Sequence, residues 1–398
     1  MTLHPLVGHE EMAGAVARAF AAGRLPQALL IHGPPGVGKQ RFGLWVGQLV
    51  LCEGPDAQGP CHECRQCFLA RKLEHPDLHW YFPLKRPPSK GSRERNDEAL
   101  EELRLARLAE LRKEPLYPSH SGEARGLHLG VVRNLRRKTT LRPAMAPRSL
   151  FLVGNAEELA VQDVQAEAAN ALLKLLEEPP EGVRFVLTAS EPGRVLPTIR
   201  SRTTSLYLPA LAEEDVARFL EEERGVAPDE ARKTAALSGG AIGRALGFLP
   251  EDDGDGNDEE NLGDLEKGRR QAFHLLQAAL KDSPSDRFLQ ALDFSVFGGR
   301  EHHEVLSFLE AWLRDLGRVA ASPGEPVRTL NPGASEWLEK TVRDRGIHPT
   351  GPARALTLVQ EAREQAAGNV NPQLLVFGLL ARLHHELRSG VASTPTPS

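Results

Sequence analysis

Ala28-Leu29-Leu30-Ile31-His32-Gly33-Pro34-Pro35-Gly36-Val37-Gly38-Lys39-Gln40 joins an unbroken apolar run to a glycine-rich turn. The run Ala28 to Ile31 has the pattern of a strand buried on both faces. Beyond the turn, Phe42, Trp45, Val46, Leu49 and Val50 recur at helical spacing. Strand, loop and helix in that order open an α/β unit. Gly33 to Lys39 also fits the phosphate-loop pattern, in the context that pattern requires. There the glycines let backbone amides curl around phosphates, the helix N-terminus adds positive potential, and the lysine reaches the β and γ oxygens. Gly33, Pro34, Pro35, Gly36, Val37, Gly38, Lys39 and Gln40 are therefore the expected nucleotide-binding residues, with ATP or ADP as the ligand.

The eighth position breaks the rule, because Gln40 stands where Ser or Thr would place a hydroxyl on magnesium. Such a site also needs a carboxylate at the end of a neighbouring strand. The strand expected over Leu150 to Val153 ends in Gly154-Asn155, with no acid there. Glu157 and Glu158 follow and are expected on a solvated loop or helix start. Two losses of this kind each remove several kcal/mol of transition-state stabilisation, so hydrolysis is not expected even where binding survives.

Around this loop, further strands are expected at Leu150 to Val153 and Phe185 to Leu187, with a helix between them from Asp163 to Glu178. A charged insertion, 83–126, carries one amphipathic helix marked by Leu100, Leu103, Leu108 and Leu111. From Glu213 strands give way to three short helices, Glu213 to Arg224, Pro228 to Leu237 and Ala241 to Phe248. Glu251 to Glu266 holds nine acids and no base, which reads as a solvated linker. Its faint likeness to a calcium loop fails, because Asp258 stands where the turn glycine belongs and Asp264 where a bidentate Glu belongs. Helical periodicity resumes over 268–388, and the tail 389–398 reads as disordered.

The chain has 398 residues, 40% of them apolar, and a net charge of -5, which excludes a basic coat spread over the whole molecule but not a local basic face. Neither a leader-like N-terminus nor a run of about 18 apolar residues is present, so a cytoplasmic protein with no membrane segment is expected. All four cysteines, Cys52, Cys61, Cys64 and Cys67, fall within one short segment. The spacing C-x8-C-x2-C-x2-C suits a closed tetrahedral thiolate shell with no open position, hence structural Zn2+. An iron–sulfur cluster would call for a further cysteine-proline signature that is missing. His62 is expected on the surface, as are the pairs His302-His303 and His384-His385.

Several strings taken together resemble the clamp-loader AAA+ family of bacterial DNA polymerase III. They are Arg24-Leu25-Pro26-Gln27-Ala28 before the phosphate loop, the cysteine module soon after it, Asn170-Ala171-Leu172-Leu173-Lys174-Leu175-Leu176-Glu177-Glu178-Pro179-Pro180, Leu196-Pro197-Thr198-Ile199-Arg200-Ser201-Arg202, and Ser238-Gly239-Gly240-Ala241-Ile242-Gly243-Arg244-Ala245. The resemblance implies a RecA-like α/β AAA+ domain (1–208) with an embedded zinc module (52–67), a helical lid (209–250), an acidic linker (251–267) and an all-α collar (268–388) that joins subunits in a ring. It implies gamma/tau and delta subunits as partners, with the sliding clamp and primer-template DNA reached through the assembled complex. The gamma/tau members keep the hydroxyl and an Asp-Glu pair, so Gln40 and Gly154-Asn155 place this chain with the non-hydrolysing branch. The family's Ser-Arg-Cys motif stands here as Ser201-Arg202-Thr203, which makes Arg202 the expected arginine finger, acting in trans on a neighbour's ATP. Where the family has an ATP-sensing arginine, Gly243 stands. The alternative is an active gamma/tau-type motor using Glu157 or Glu158. A third reading, a free-standing zinc-containing DNA-binding protein, predicts salt-dependent DNA affinity without partners. The basic run Arg133, Arg136, Arg137, Lys138, Arg142 and Arg148 either lines a DNA channel or forms a solvated face or subunit contact.

Overall fold

A computed structural model describes residues 3–87, 91–115, 125–159, 166–250, 261–294, 299–366 and 370–388. Its first compact unit runs to Arg244 and its second begins at Ala245.

In the first unit, α1 (Glu10–Ala21) leads to β1 (Ala28–His32), which lies at the middle of the hydrophobic core with Leu30 and Ile31 wholly buried. Then come α2 (Lys39–Leu51), α3 (Arg65–Arg71), β2 (Leu78–Tyr81), β3 (Leu84–Lys85), α4 (Arg93–Lys113), β4 (Arg125–Gly126), α5 (Leu129–Thr139), β5 (Ser149–Val153), α6 (Ala166–Glu177), β6 (Val183–Ala189), α7 (Pro197–Arg200) and β7 (Thr204–Tyr207). Five strands form one sheet in the order β2-β5-β6-β1-β7, every neighbouring pair parallel. In open sheets of this kind ligands bind outside the carboxyl ends of the strands. The ends of β1, β5 and β6 deliver the phosphate loop, Gly154-Asn155 and Ser190 to that edge. β2 and β7 were not expected from the sequence. β7 is largely exposed and offers no apolar run to read, and in β2 only Tyr81 is fully buried.

The insertion is packed rather than loosely attached. β3 and β4 pair antiparallel at its two ends, and α4 buries Leu100, Leu108 and Leu111 while Leu103 stays exposed. Arg104, only 4% exposed, donates to both oxygens of Glu101 and to the Trp80 carbonyl, and its guanidinium lies 4.9 Å from the Tyr81 ring centroid. Arg133 of α5 grips Asp97, and Lys138 reaches Glu101 at 3.0 Å. Two cations of the basic run thus hold the insertion in place, and a third, Arg148, lies over the Phe20 ring. Arg136, Arg137 and Arg142 are exposed.

At the foot of the edge strand, the buried carboxylate of Asp77 accepts the amides of Ala144, Met145 and Ala146 at 2.6–2.8 Å. Three more helices close the unit: α8 (Glu213–Arg224), α9 (Pro228–Ser238) and the start of α10 (Ile242–Phe248).

Among the described residues, the second unit is helical: α11 (Asp264–Leu280), α12 (Pro284–Leu292), α13 (Gly299–Ala321), α14 (Ser335–Arg345), α15 (Thr350–Ala366) and α16 (Pro372–Arg388). Leu275, Leu276, Leu309, Leu313, Leu316, Val359, Leu380 and Leu383 form its core. Phe273, Trp312 and Trp337 cluster at 4.7–6.2 Å between ring centroids. The carbonyls that end α11 are capped from three other helices, Ala279 by His384, Leu280 by Arg345 and Lys281 by Arg287. His384 is thereby partly buried, a correction to its expected surface position. The bond to Ala279 draws the ring inward. No described helix is long and apolar enough to cross a membrane. The acidic stretch 251–260, the tail 389–398 and the insertion's residues 88–90 and 116–124 lie outside the described residues.

Candidate functional site

The phosphate loop folds as its glycines require. Gly36 and Gly38 take φ of 80° and 97°, values that favour glycine, and Gly38 precedes the first turn of α2. Lys39 is 6% exposed, and its ammonium donates to the loop's own carbonyls, Gly33 at 3.0 Å and Pro34 at 2.7 Å. Burial pushes its pKa down to about 8, against the pull of the Glu157 carboxylate. The crown of the loop is held from two further sides. The Gly243 amide donates to Gly36 O at 2.8 Å, and His9 Nε2 lies 2.9 Å from Val37 O. A side chain at Gly36 would put a Cβ 2.9 Å from the Arg244 nitrogen, so the loop and the start of α10 meet backbone to backbone.

Gln40 is enclosed. Its carbonyl oxygen accepts from the Trp80 indole at 3.1 Å, and its amide nitrogen donates to Asn155 Oδ1 at 3.2 Å. The same side chain lies against Gly154, where a Cβ would stand 2.8–3.0 Å from the Gln40 amide atoms. With both ends of its amide bonded, Gln40 is not poised as a metal ligand. It also fills the volume that a strand-end carboxylate at position 154 would need.

Glu157 and Glu158 correct the expectation of a solvated loop. They lie on a short 3-10 turn, Ala156–Leu159, and are 5% and 9% exposed. Glu157 Oε1 accepts the Ser190 amide at 2.8 Å, while its buried Oε2 has no hydrogen-bond partner among the described residues. The Ser190 amide, just past the end of β6, holds Glu157 inward.

Arg202 follows α7 and is exposed. Its guanidinium pairs with Glu177 at 2.6 Å and donates to Thr198 O at 3.0 Å and Ser201 Oγ at 3.3 Å. Glu177 ends α6, so two strings that are distant in sequence meet at this arginine. Sequence reasoning missed Trp80, Asn155 and Glu177 as partners. The one available hint was the bare glycine that ends β5 opposite an enlarged residue at position 40.

The four cysteines converge, with all their sulfurs within 4.8 Å of one another. Cys52 and Cys61 Sγ are 3.4 Å apart, and Cys61 to Cys67 and Cys52 to Cys64 are each 4.0 Å. A tetrahedral shell with Zn–S bonds near 2.3 Å requires edges of about 3.8 Å, so the four donors fit a metal ion. Amides of Cys61, Cys64 and Cys67 donate to the sulfurs of Cys52, Cys61 and Cys64 at 3.3–3.4 Å, bonds that favour thiolates. The amides of Cys64 and Glu63 pull the Cys61 thiol down to about 7, whereas burial pushes Cys67 up. The module is tied to the sheet through Gln66, whose Oε1 lies 2.6 Å from His75 Nε2, while the Asp77 amide donates to His75 Nδ1.

Comparison with known proteins agrees with this architecture. The family model described as DNA polymerase III, delta subunit, matches residues 8–212, just over half of the chain. The delta-prime subunit of Escherichia coli DNA polymerase III is 27% identical over 95% of both chains. The delta-prime subunit of Pseudomonas aeruginosa is 32% identical over 54% of this chain and 53% of its own. The gamma/tau subunit of Mycobacterium tuberculosis is 30% identical over 95% of this chain and 60% of its own. The chain belongs to the DNA polymerase III delta-subunit family, on its delta-prime branch.

Proposed function

We propose that this chain is a non-hydrolysing subunit of the bacterial replicative clamp loader, which supplies Arg202 to the ATP site of a neighbouring subunit. Likeness to delta-prime and gamma/tau subunits supports the clamp-loader role. The observation that carries the non-hydrolysing half is Gln40, bonded at both ends and packed where a magnesium-holding carboxylate would have to stand. In this reading Gly33 to Gln40 keep the shape of a nucleotide loop without its chemistry. Residues 209–250 act as a lid, 268–388 as a collar, and the gamma/tau and delta subunits as partners in the cytoplasm. The sliding clamp and primer-template DNA are met through the complex. Cys52, Cys61, Cys64 and Cys67 hold a structural zinc.

For the arginine, support comes from exposure and orientation. A permanently charged planar fork sits at the surface, its direction set by Glu177 and the Thr198 carbonyl, and such a fork can follow charge developing on a γ-phosphate. The deciding experiment mixes the chain with its cognate gamma/tau and delta subunits. DNA-stimulated ATPase is then compared for wild type and Arg202→Ala, and an unchanged rate refutes the trans role.

Glu157 favours a second reading, an active motor. Its buried carboxylate acts on Lys39, and one of its oxygens is unpartnered among the described residues. ATP turnover above background by the isolated chain, abolished in Glu157→Gln, would establish it.

A further inference from the structure

The metal module carries a surface that the clamp-loader reading does not use. α3 starts at the ligand Cys64, whose sulfur accepts the Cys67 amide, so its orientation is fixed by the cysteine cluster. Arg65, Phe68 and Lys72 fall at i, i+3 and i+7 and share one helix face. Phe68 is 46% exposed, an unusual position for a large apolar ring on a small module, and the Lys72 ammonium stands 4.5 Å from its centroid. On the adjoining side, Arg71 donates to the His62 carbonyl at 3.4 Å. The Arg71 Nε–H is buried and has no acceptor among the described residues. Arg41 is close by, since it grips the His4 carbonyl while Arg71 O takes the Leu3 amide. Glu63 and Glu74 flank the helix in sequence, yet among the described residues no ion pair links either to Arg65, Arg71 or Lys72.

We propose that this face of the metal module binds single-stranded nucleic acid, an unpaired base stacking on Phe68 and its phosphates meeting Lys72, Arg65 and Arg71. The charge selects an anionic polymer. The exposed ring selects one whose base faces are free, which a duplex does not offer. Stacking on an aromatic ring that carries a cation over one face tolerates any base, so the expected preference is for strandedness rather than sequence. The proposal does not depend on the role given to Arg202.

The test uses the full-length, zinc-loaded chain and a fluorescein-labelled oligothymidylate, read by anisotropy across a salt series, with the matching duplex as a second arm. Phe68→Ala is expected to weaken single-strand binding about five- to a hundredfold and to leave the salt slope unchanged. Arg65→Gln with Lys72→Gln is expected to flatten the slope of log affinity against log salt by about 1.4, roughly 0.7 for each lost phosphate contact. Zinc content should stay at the wild-type level in every variant, which separates a lost contact from a lost fold. The proposal is overturned if wild type fails to bind the single strand at low salt, if Phe68→Ala binds as tightly as wild type, or if the duplex competes equally. It is equally overturned if the loss follows Arg136, Arg137 and Arg142 instead, or if Phe68→Ala releases a partner subunit while DNA affinity stands. Arg202→Ala, tested alongside, should bind the oligonucleotide as wild type does.

Discussion

Gln40 and Asn155, two residues that replace the ATPase pattern, are hydrogen-bonded to each other at 3.2 Å, with Gly154 packed beneath them. The departures are therefore one structural change. A long amide fills the space between the two segments, the neighbouring strand is followed by a glycine that makes room for it, and the next residue supplies the partner.

Gly154→Ala should destabilise the chain by about 1–3 kcal/mol, because the added methyl meets a side chain bonded at both ends. Combining it with Gln40→Ala should restore most of that loss. A double-mutant cycle by urea denaturation measures the coupling, and strict additivity would mean that the two positions do not share this volume.

Lys39 gives a pH signature. Its folded pKa is about 8 against 10.5 for the exposed side chain, so between those values the unfolded chain binds more protons. Stability from this group therefore rises with pH across that window, and below it the buried ammonium is unfavourable by on the order of 3 kcal/mol. Relative to Lys39→Met, wild type should gain stability between pH 8 and about 10.5. A flat difference over that range would contradict the burial described.

Glu177→Gln separates stability from function at the surface arginine. An ion pair between half-exposed side chains contributes at most about 1 kcal/mol, so the melting temperature should barely move. The ATPase of a reconstituted complex should nevertheless change, because Arg202 loses the partner that directs it.

Metal removal should loosen the module. One zinc per chain is expected by a colorimetric release assay. Cys64→Ser should lower both that content and the melting temperature, since this residue caps α3 and would also be one of the four ligands. Full zinc content in the variant would argue against the four-sulfur shell.

Arg104→Ala should cost about 3 kcal/mol, because it leaves the part-buried Glu101 carboxylate with Lys138 as its remaining cation, empties the space over the Tyr81 ring and removes a donor from the Trp80 carbonyl. Arg104→Met, which keeps the volume, should cost less.

Much of this was legible in the sequence where one residue type has one physical use. The apolar run before a glycine loop gives a buried strand, and four cysteines in sixteen positions give a sulfur cluster that could hold a metal ion. The helices expected over Glu213 to Arg224 and Pro228 to Leu237 appear within a residue of their bounds, because acids mark their first turns and glycines follow their last. What escaped depends on contacts between distant segments. β2 carries two aromatics and a histidine in four residues and shows no clean alternation. The burial of Glu157 is fixed by the Ser190 amide, and the pairing of Arg133 and Lys138 by acids in an insertion that reads as a separate element.

The four-residue strand β2 touches two things at once. The Trp80 indole donates to Gln40, and the Trp80 carbonyl accepts Arg104 of α4. Any ligand that grips the inserted helix firmly enough to move it must also disturb that ring, so the emission of a native chromophore can report on events outside the phosphate loop without any label.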